Sequence, residues 1–324
     1  MLGWIWWLAL PFLGALAGTW LLRRYALAKG LVDQPGQRRS HSEVTPRGGG
    51  MSIVLVVLVA AVVAAWFFPA HQFLLLGFSA GLVVVAGIGW WDDHHPLSAS
   101  VRLVVHALAS AWLGCLMYRS GAGPFEAFLA AASCVVLINV WNFMDGINGL
   151  AASQALLAAI AFALVLPSPV VWIAVALAGA CLGFLPFNFP RARIFMGDGG
   201  SGSLGYVLAA LMACTVLEGR ADWWWAWLPL TAFLVDAGFT LVARMLGRQR
   251  WWEPHTQHVY QALARRLRTH SWVTLGYGCF SVCALVLFLA LGATQRSFVA
   301  LAMGVWLLFA MAIWFFLRKG LRSP

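Results

Sequence analysis

Long apolar runs separated by short polar breaks occupy the chain from its first residues to its last. Eleven can be marked: roughly Leu2–Leu22, Met51–Phe68, Phe73–Trp91, Val101–Tyr118, Glu126–Phe143, Ile147–Leu166, Val170–Phe187, Ser203–Leu217, Trp223–Met245, Ser271–Leu291 and Ser297–Leu317. About 20 apolar residues make an α-helix long enough to cross a hydrocarbon layer of about 30 Å. The pattern therefore predicts an all-α polytopic integral membrane protein with about 11 transmembrane helices, the fifth and eighth of them short. Residues 1–324 read as one transmembrane domain, with larger polar loops at about 23–50 and 247–270 and no internal repeat. Of the 324 residues, 62% are hydrophobic and 10% charged, more apolar side chain than one globular core buries. A soluble enzyme, a disordered chain and a disulfide-stapled secreted domain are excluded.

Charge orients the spans. Lys and Arg number 21 against 11 acids. If the spans alternate, 18 of the 21 fall on one side, and only Arg119, Arg220 and Arg296 on the other. Basic residues resist translocation, so the bias predicts a periplasmic N-terminus and a cytoplasmic C-terminus. It also accounts for much of the +10 net charge without a nucleic-acid partner. The first run has no Lys or Arg before it and reads as a retained span rather than a cleaved signal peptide. All six cysteines lie in apolar stretches without ligand-like spacing and read as small packing residues.

The acids then stand out. Asp33, Glu43, Asp92, Asp93, Asp145, Asp198, Asp236 and Glu253 fall on or near the cytoplasmic face. One such acid is readily a helix cap. Asp92, Asp93, Asp145 and Asp198 together are not, because ionised carboxylates at membrane helix ends need pairing, water or a cation. The adjacent Asp92 and Asp93 repel each other unless a cation intervenes. Hard oxygen donors in a cleft suit Mg²⁺, with Mn²⁺ as a substitute, and such ions bind substrate phosphates. Two glycine-rich turns run into helices, Thr45–Gly50 with Arg47 and Phe195–Ser203 around Gly197 and Asp198. Such turns offer free amides to phosphate. His255 and His258, three apart after Pro254, read as an anion-binding lid beside Arg265, Arg266 and Arg268. His94, His95 and His270 read as solvated loop residues, while Arg102 and His106 are one helical turn apart and point towards the same cleft. Phosphoryl transfer at a diphosphate fits this set.

These motifs resemble, in order, those of a known family: Asp33 to His41, Thr45 to Gly50, Asp92-Asp93, Asn142-Phe-Met-Asp145-Gly-Ile-Asn-Gly-Leu150, Phe195-Met-Gly-Asp198, Asp236 and His255 to Gln261. The family is the polyprenyl-phosphate N-acetylhexosaminyl-1-phosphate transferases, the group of WecA, MraY and WbpL, and the resemblance covers about residues 1–320. It implies a cytoplasmic-face active site in the bacterial inner membrane, Mg²⁺ dependence, a UDP-N-acetylhexosamine donor, undecaprenyl phosphate as acceptor and a homodimer. By the same resemblance, Asp198 with Asp93 would hold the metal, and Asp92, Asp93, Asp145, His255 and His258 would be catalytic. His41, Arg47, Arg102, Asn142, Arg193 and Gly197 would contact substrate. Asn148 stands where relatives carry a second Asp, His94-His95-Pro96 follows the Asp pair without a Lys, and the loop reads His-Thr-Gln-His-Val-Tyr-Gln. These departures point to the WbpL-like, O-antigen-initiating branch. The competing readings are an ion-coupled secondary transporter, which needs ionisable groups on both faces, and a CDP-alcohol phosphotransferase, which needs an Arg after Asp145 that this chain lacks.

Overall fold

The structure, a computed structural model, describes residues 2–34, 43–250, 255–292 and 296–322. In chain order its elements are α1 (Leu2–Lys29), β1 (Val32–Asp33), β2 (Thr45–Pro46), α2 (Met51–Phe67), α3 (Gln72–His94), α4 (Ala99–Arg119) and α5 (Pro124–Met144). There follow α6 (Leu150–Ala163), α7 (Val170–Asn188), α8 (Asp198–Leu217), α9 (Trp223–Ala226), α10 (Thr231–Leu246), α11 (Val259–Leu267), α12 (Ser271–Leu291) and α13 (Arg296–Arg322). The protein is an all-α polytopic membrane protein. Among the described residues nine helical segments are long and apolar enough to cross a membrane, with α9 and α10 taken as one.

The shortfall from eleven lies in α2 and α6, not in the fifth and eighth runs. α5 and α8 reach full spanning length, while α2 has 17 residues and α6 has 14. At 1.5 Å per residue α6 rises about 21 Å, less than a hydrocarbon core. Gly149, in a left-handed conformation with φ +74°, starts α6 later than the apolar pattern suggests. Pro167 and Pro169 lie just beyond its end. The ninth run is interrupted by a 3₁₀ turn at Leu228–Leu230, where Pro229 cannot donate to a continuous helix.

α8 is the central helix, packed against α3, α5, α6, α7, α2 and α4. It is hydrophobic all round and almost wholly buried, as a helix walled in by others must be. Its small residues set the spacing. A Cβ on Gly205 would stand 2.3 Å from the Leu137 carbonyl, and one on Gly200 would stand 2.6 Å from the Cα of Gly50. Backbone-to-backbone contact of this kind is how membrane helices gain dispersion energy where lipid removes the hydrophobic drive. α1, α12 and α13 line the outside and expose Trp4, Trp6, Trp272, Phe315 and Phe316. All six cysteines are free: Cys134, Cys181 and Cys214 are buried in packing, and Cys115, Cys279 and Cys283 are exposed.

Candidate active site

The C-terminal ends of α3, α5 and α7 and the N-terminal ends of α2, α4 and α8 meet at one end of the bundle. A short backbone lattice joins them. β1 pairs with β2 in antiparallel register, Val32 opposite Pro46. On the other side of β2, Phe195 N donates to Pro46 O, and Gly49 N and Gly50 N donate to the carbonyls of Phe195 and Met196. The two glycine-rich segments are therefore bonded to each other. Their amides at Gly49 and Gly50 are not free for phosphate, contrary to the expectation from the sequence.

The same holds at the start of α8. Asp93, buried on the last turn of α3, accepts the amides of Asp198 and Gly199, one on each carboxylate oxygen, at 3.2 Å. It caps α8 from a neighbouring helix, satisfying orphan donors and the positive helix end. The close approach requires glycine on both sides. A Cβ on Gly89 would lie 2.6 Å from the Asp198 carbonyl carbon, and one on Gly197 (φ +79°) would lie 2.6 Å from Asp93 Oδ2. Glycine here serves as a contact residue more than as a phosphate cradle.

Asp92 points elsewhere, since adjacent residues on a helix diverge by about 100°. Its Oδ1 accepts the Leu97 amide at 2.5 Å, and its Oδ2 accepts Arg102 Nη1 at 2.8 Å. That guanidinium nitrogen also donates to Asp198 Oδ2 at 2.5 Å, so Arg102 bridges Asp92 and Asp198. Arg47 Nη2 donates to the Asp93 carbonyl, and its Nε lies 3.9 Å from Asp93 Oδ1. The repulsion expected of the Asp pair is thus relieved by two arginines and three amides rather than by one shared cation.

Asp145 follows the last turn of α5, and no described residue donates a hydrogen bond to its carboxylate. Burial pushes this carboxyl up to about 8, and the carboxylates of Asp198 and Asp93 push the same way. Asn142, one turn earlier, donates to Ser201 Oγ on α8 at 3.4 Å. Fully ionised, Asp92, Asp93, Asp145 and Asp198 outnumber Arg47 and Arg102 by two charges, the charge of one divalent cation. The donors are hard oxygens, as Mg²⁺ requires. Asp145 and Asp198 keep oxygens for it, whereas both oxygens of Asp93 are held by α8 amides. Among the described residues no three His, Cys, Asp or Glu side chains form a ready metal cage. An ion here would complete its shell with water and substrate oxygens.

The histidine loop approaches the Asp145 side. His258 is buried as the N-cap of α11, its ring 4.8 Å from that of His255 and 6.5 Å from that of Phe143. Burial lowers His255 to about 4, aided by His258, Arg244 and Arg318, and burial also lowers His258. Both rings are neutral near pH 7, which suits hydrogen bonding to a phosphate better than charge pairing. Tyr260, fully buried, donates to the Phe143 carbonyl at 2.9 Å. Nothing in the sequence marked it apart from its place in the loop.

Other candidates are placed differently. Arg193 donates to the Pro186 carbonyl at the end of α7 and lies over Phe187, away from the carboxylates. His106 is buried beneath Arg102. His94 and His270 are held rather than merely solvated. His94 Nδ1 donates to Trp90 O at 2.8 Å, leaving Nε2 to accept from Tyr25 at 3.3 Å, and His270 Nδ1 accepts the Asn148 amide at 3.4 Å. His41 and Glu253 lie outside the described residues.

Residues 75–216, which carry the Asp pair, Asn142, Asp145 and Asp198, match the family model described as Glycosyl transferase family 4. The match covers less than half of the chain, and over those residues the chain is similar to glycosyl transferase family 4. Among curated relatives, a decaprenyl-phosphate N-acetylglucosaminephosphotransferase of Mycobacterium tuberculosis is 37% identical over 224 residues, covering 58% of this chain and 54% of the relative. A probable undecaprenyl-phosphate N-acetylglucosaminyl 1-phosphate transferase of Bacillus subtilis is 28% identical over 293 residues, 83% of this chain and 80% of the relative. An undecaprenyl-phosphate alpha-N-acetylglucosaminyl 1-phosphate transferase of Thermotoga maritima is 26% identical over 284 residues, 86% of this chain and 87% of the relative. The chain spans about half the length of the mycobacterial relatives it matches.

Proposed function

We propose that the protein transfers an N-acetylhexosamine 1-phosphate from a UDP-sugar to undecaprenyl phosphate, releasing UMP. The observation that carries this reading is the convergence of Asp92, Asp93, Asp145 and Asp198, from three helices far apart in sequence, with Arg47 and Arg102 at one end of a membrane bundle. A lipid phosphate and a nucleoside diphosphate are polyanions, and an amphiphilic acceptor explains why their site is built in a membrane. The positive-inside bias supports a cytoplasmic position for that end, in a bacterial inner membrane. Initiation of O-antigen or a related surface polysaccharide is the role that fits the product.

The reaction is a single displacement. An oxygen of the lipid phosphate attacks the β-phosphorus of the donor. The new P–O bond joins lipid and sugar phosphates, the α,β-bridge breaks, and the electron pair leaves on UMP. The sugar C1–O bond stays intact, so anomeric configuration is retained. A phosphate monoester is largely ionised at neutral pH, with a charge of about −1.5 to −2. Asp92 is engaged with Leu97 and Arg102, so it orients Arg102 rather than removing a proton. Asp145 and Asp198 are the residues that would hold Mg²⁺, which, when bound, supplies positive charge against the diphosphate. Arg47, Arg102, His255 and His258 would hold phosphate oxygens, and Asn142 lies beside them.

Membranes carrying the protein, incubated with undecaprenyl phosphate, Mg²⁺ and a panel of UDP-N-acetylhexosamines, are expected to release UMP with at least one donor. No UMP from any donor, or an Asp198→Ala variant of normal activity, would overturn the reading. UDP-GlcNAc is the first donor to try, given the names of the relatives.

A further inference from the structure

Asp236 stands apart from the carboxylate cluster of Asp92, Asp93, Asp145 and Asp198. It lies 2% exposed in the second turn of α10, yet it is not waiting for a ligand. Its Oδ1 accepts the Val259 amide at 2.8 Å and Thr240 Oγ1 at 3.2 Å. Its Oδ2 accepts the Tyr260 amide at 3.0 Å and the Tyr277 hydroxyl at 2.6 Å. Val259 and Tyr260 are the first two residues of α11, whose N-cap, His258, makes no side-chain cap of its own. One carboxylate from α10 therefore replaces the missing cap, and Tyr277 fixes that carboxylate from α12.

α11 needs this. A nine-residue helix is too short to hold itself in water, and its exposed face carries Arg265 and Arg266. Once its N-terminus is fixed, Tyr260 reaches the Phe143 carbonyl and lies against Gly146, where a Cβ would come within 2.2 Å of the tyrosine oxygen. Phe143 and Gly146 flank Asp145. The contacts form one path: Asp236, the start of α11, Tyr260, the end of α5.

We propose that Asp236 is a positioning residue that fixes the His255–His258 segment against Asp145, and so sets the donor side of the site. The proposal rests on the sugar-phosphate transfer reading for its kinetic part only. Replacing Asp236 leaves the carboxylate cluster intact but frees the start of α11. In the full-length protein, Asp236→Ala is expected to raise KM for the UDP-sugar at least fivefold and lower kcat at least tenfold, with KM for undecaprenyl phosphate within twofold of native. Asp236→Asn keeps an acceptor oxygen for one amide and recovers part of the loss. Diethyl pyrocarbonate modification of His258, read by mass spectrometry, is expected to quicken at least tenfold in Asp236→Ala, because His258 is 4% exposed in the native fold. Equal loss of KM for both substrates, or no gain from Asn over Ala, would overturn the proposal. So would an unchanged His258 modification rate. If Asp236→Ala does not accumulate, Tyr260→Phe tests the same path by removing one hydroxyl, and native kinetics in that variant would overturn it. Should the native protein release no UMP, the transfer reading fails, while the His258 rate still decides the role of Asp236.

Discussion

Arg102 Nη1 donates to Asp198 Oδ2 at 2.5 Å, and the same nitrogen donates to Asp92 Oδ2 at 2.8 Å. A single guanidinium thus joins the end of α3 to the start of α8. Charge-assisted hydrogen bonds of this kind contribute about 1.5–3 kcal/mol. Arg102→Gln is expected to lower kcat/KM for UMP release by about 10- to 100-fold, the rate equivalent of that energy. Arg102→Lys, with a point charge in place of a fork, is expected to recover only part of it. A rate within twofold of native for Arg102→Gln would show that the bridge does not serve turnover.

Asp145 and Asp198 are the carboxylates with oxygens left for a cation. Asp145→Asn and Asp198→Asn are each expected to weaken Mn²⁺ binding, followed by electron paramagnetic resonance, by tenfold or more. Asp93→Asn is expected to act instead on the α8 cap, lowering thermal stability while Mn²⁺ affinity changes less. The reverse ranking would return Asp93 to the metal shell.

Two glycines on α3 make a matched pair. A Cβ on Gly89 would stand 2.6 Å from the backbone at Asp198 and Gly199, whereas one on Gly87 would meet nothing within 4 Å. Gly89→Ala is expected to force α3 away from α8, costing about 1–3 kcal/mol as overpacking does. Gly87→Ala should be neutral or slightly stabilising, since alanine favours the helix. Thermal denaturation in detergent, compared between the two variants, reads the difference directly.

The histidine pair gives a pH dependence. His255 is lowered to about 4 in the fold, against an unfolded value near 6.5, mainly by burial. A lowered histidine contributes stability that is fully present above its unfolded value and is lost as pH falls towards its folded value. The open form of the 255–261 segment therefore gains on the closed one as pH drops from about 6.5 to about 4. Hydrogen–deuterium exchange at Val259 and Tyr260, corrected for intrinsic rate, is expected to speed up between pH 7 and pH 5. A His255→Gln, His258→Gln double variant should flatten that trend, and a native profile flat across the range would refute it.

The helices were legible because lipid permits so few backbone arrangements. Runs such as Val170–Phe187 and Ser271–Leu291 correspond to α7 and α12 within a residue or so. Where a run failed, a local feature was responsible: Gly149 delays α6 and Pro229 breaks the ninth span. The site was half legible. Asp92, Asp93, Asp145 and Asp198 stand out because ionised groups are rare and costly at membrane helix ends. Which of them would face a ligand was not readable, since Asp93 reaches α8 across more than a hundred residues of chain.

By itself, the sequence determined that the chain crosses a membrane many times and that its acids and bases gather at one set of helix ends. Apolar run length is a one-dimensional property, and a bilayer converts it directly into helices. Only the tertiary structure decided what each polar group does there. Asp93 became a cap for α8, Arg102 a bridge between Asp92 and Asp198, and Asp236 the anchor of α11. The glycines of the two turns became contact points between backbones, with Gly50 packed on Gly200. Hydrogen bonds and close contacts depend on distances of a few ångströms between residues remote in the chain, and helix packing alone sets those distances.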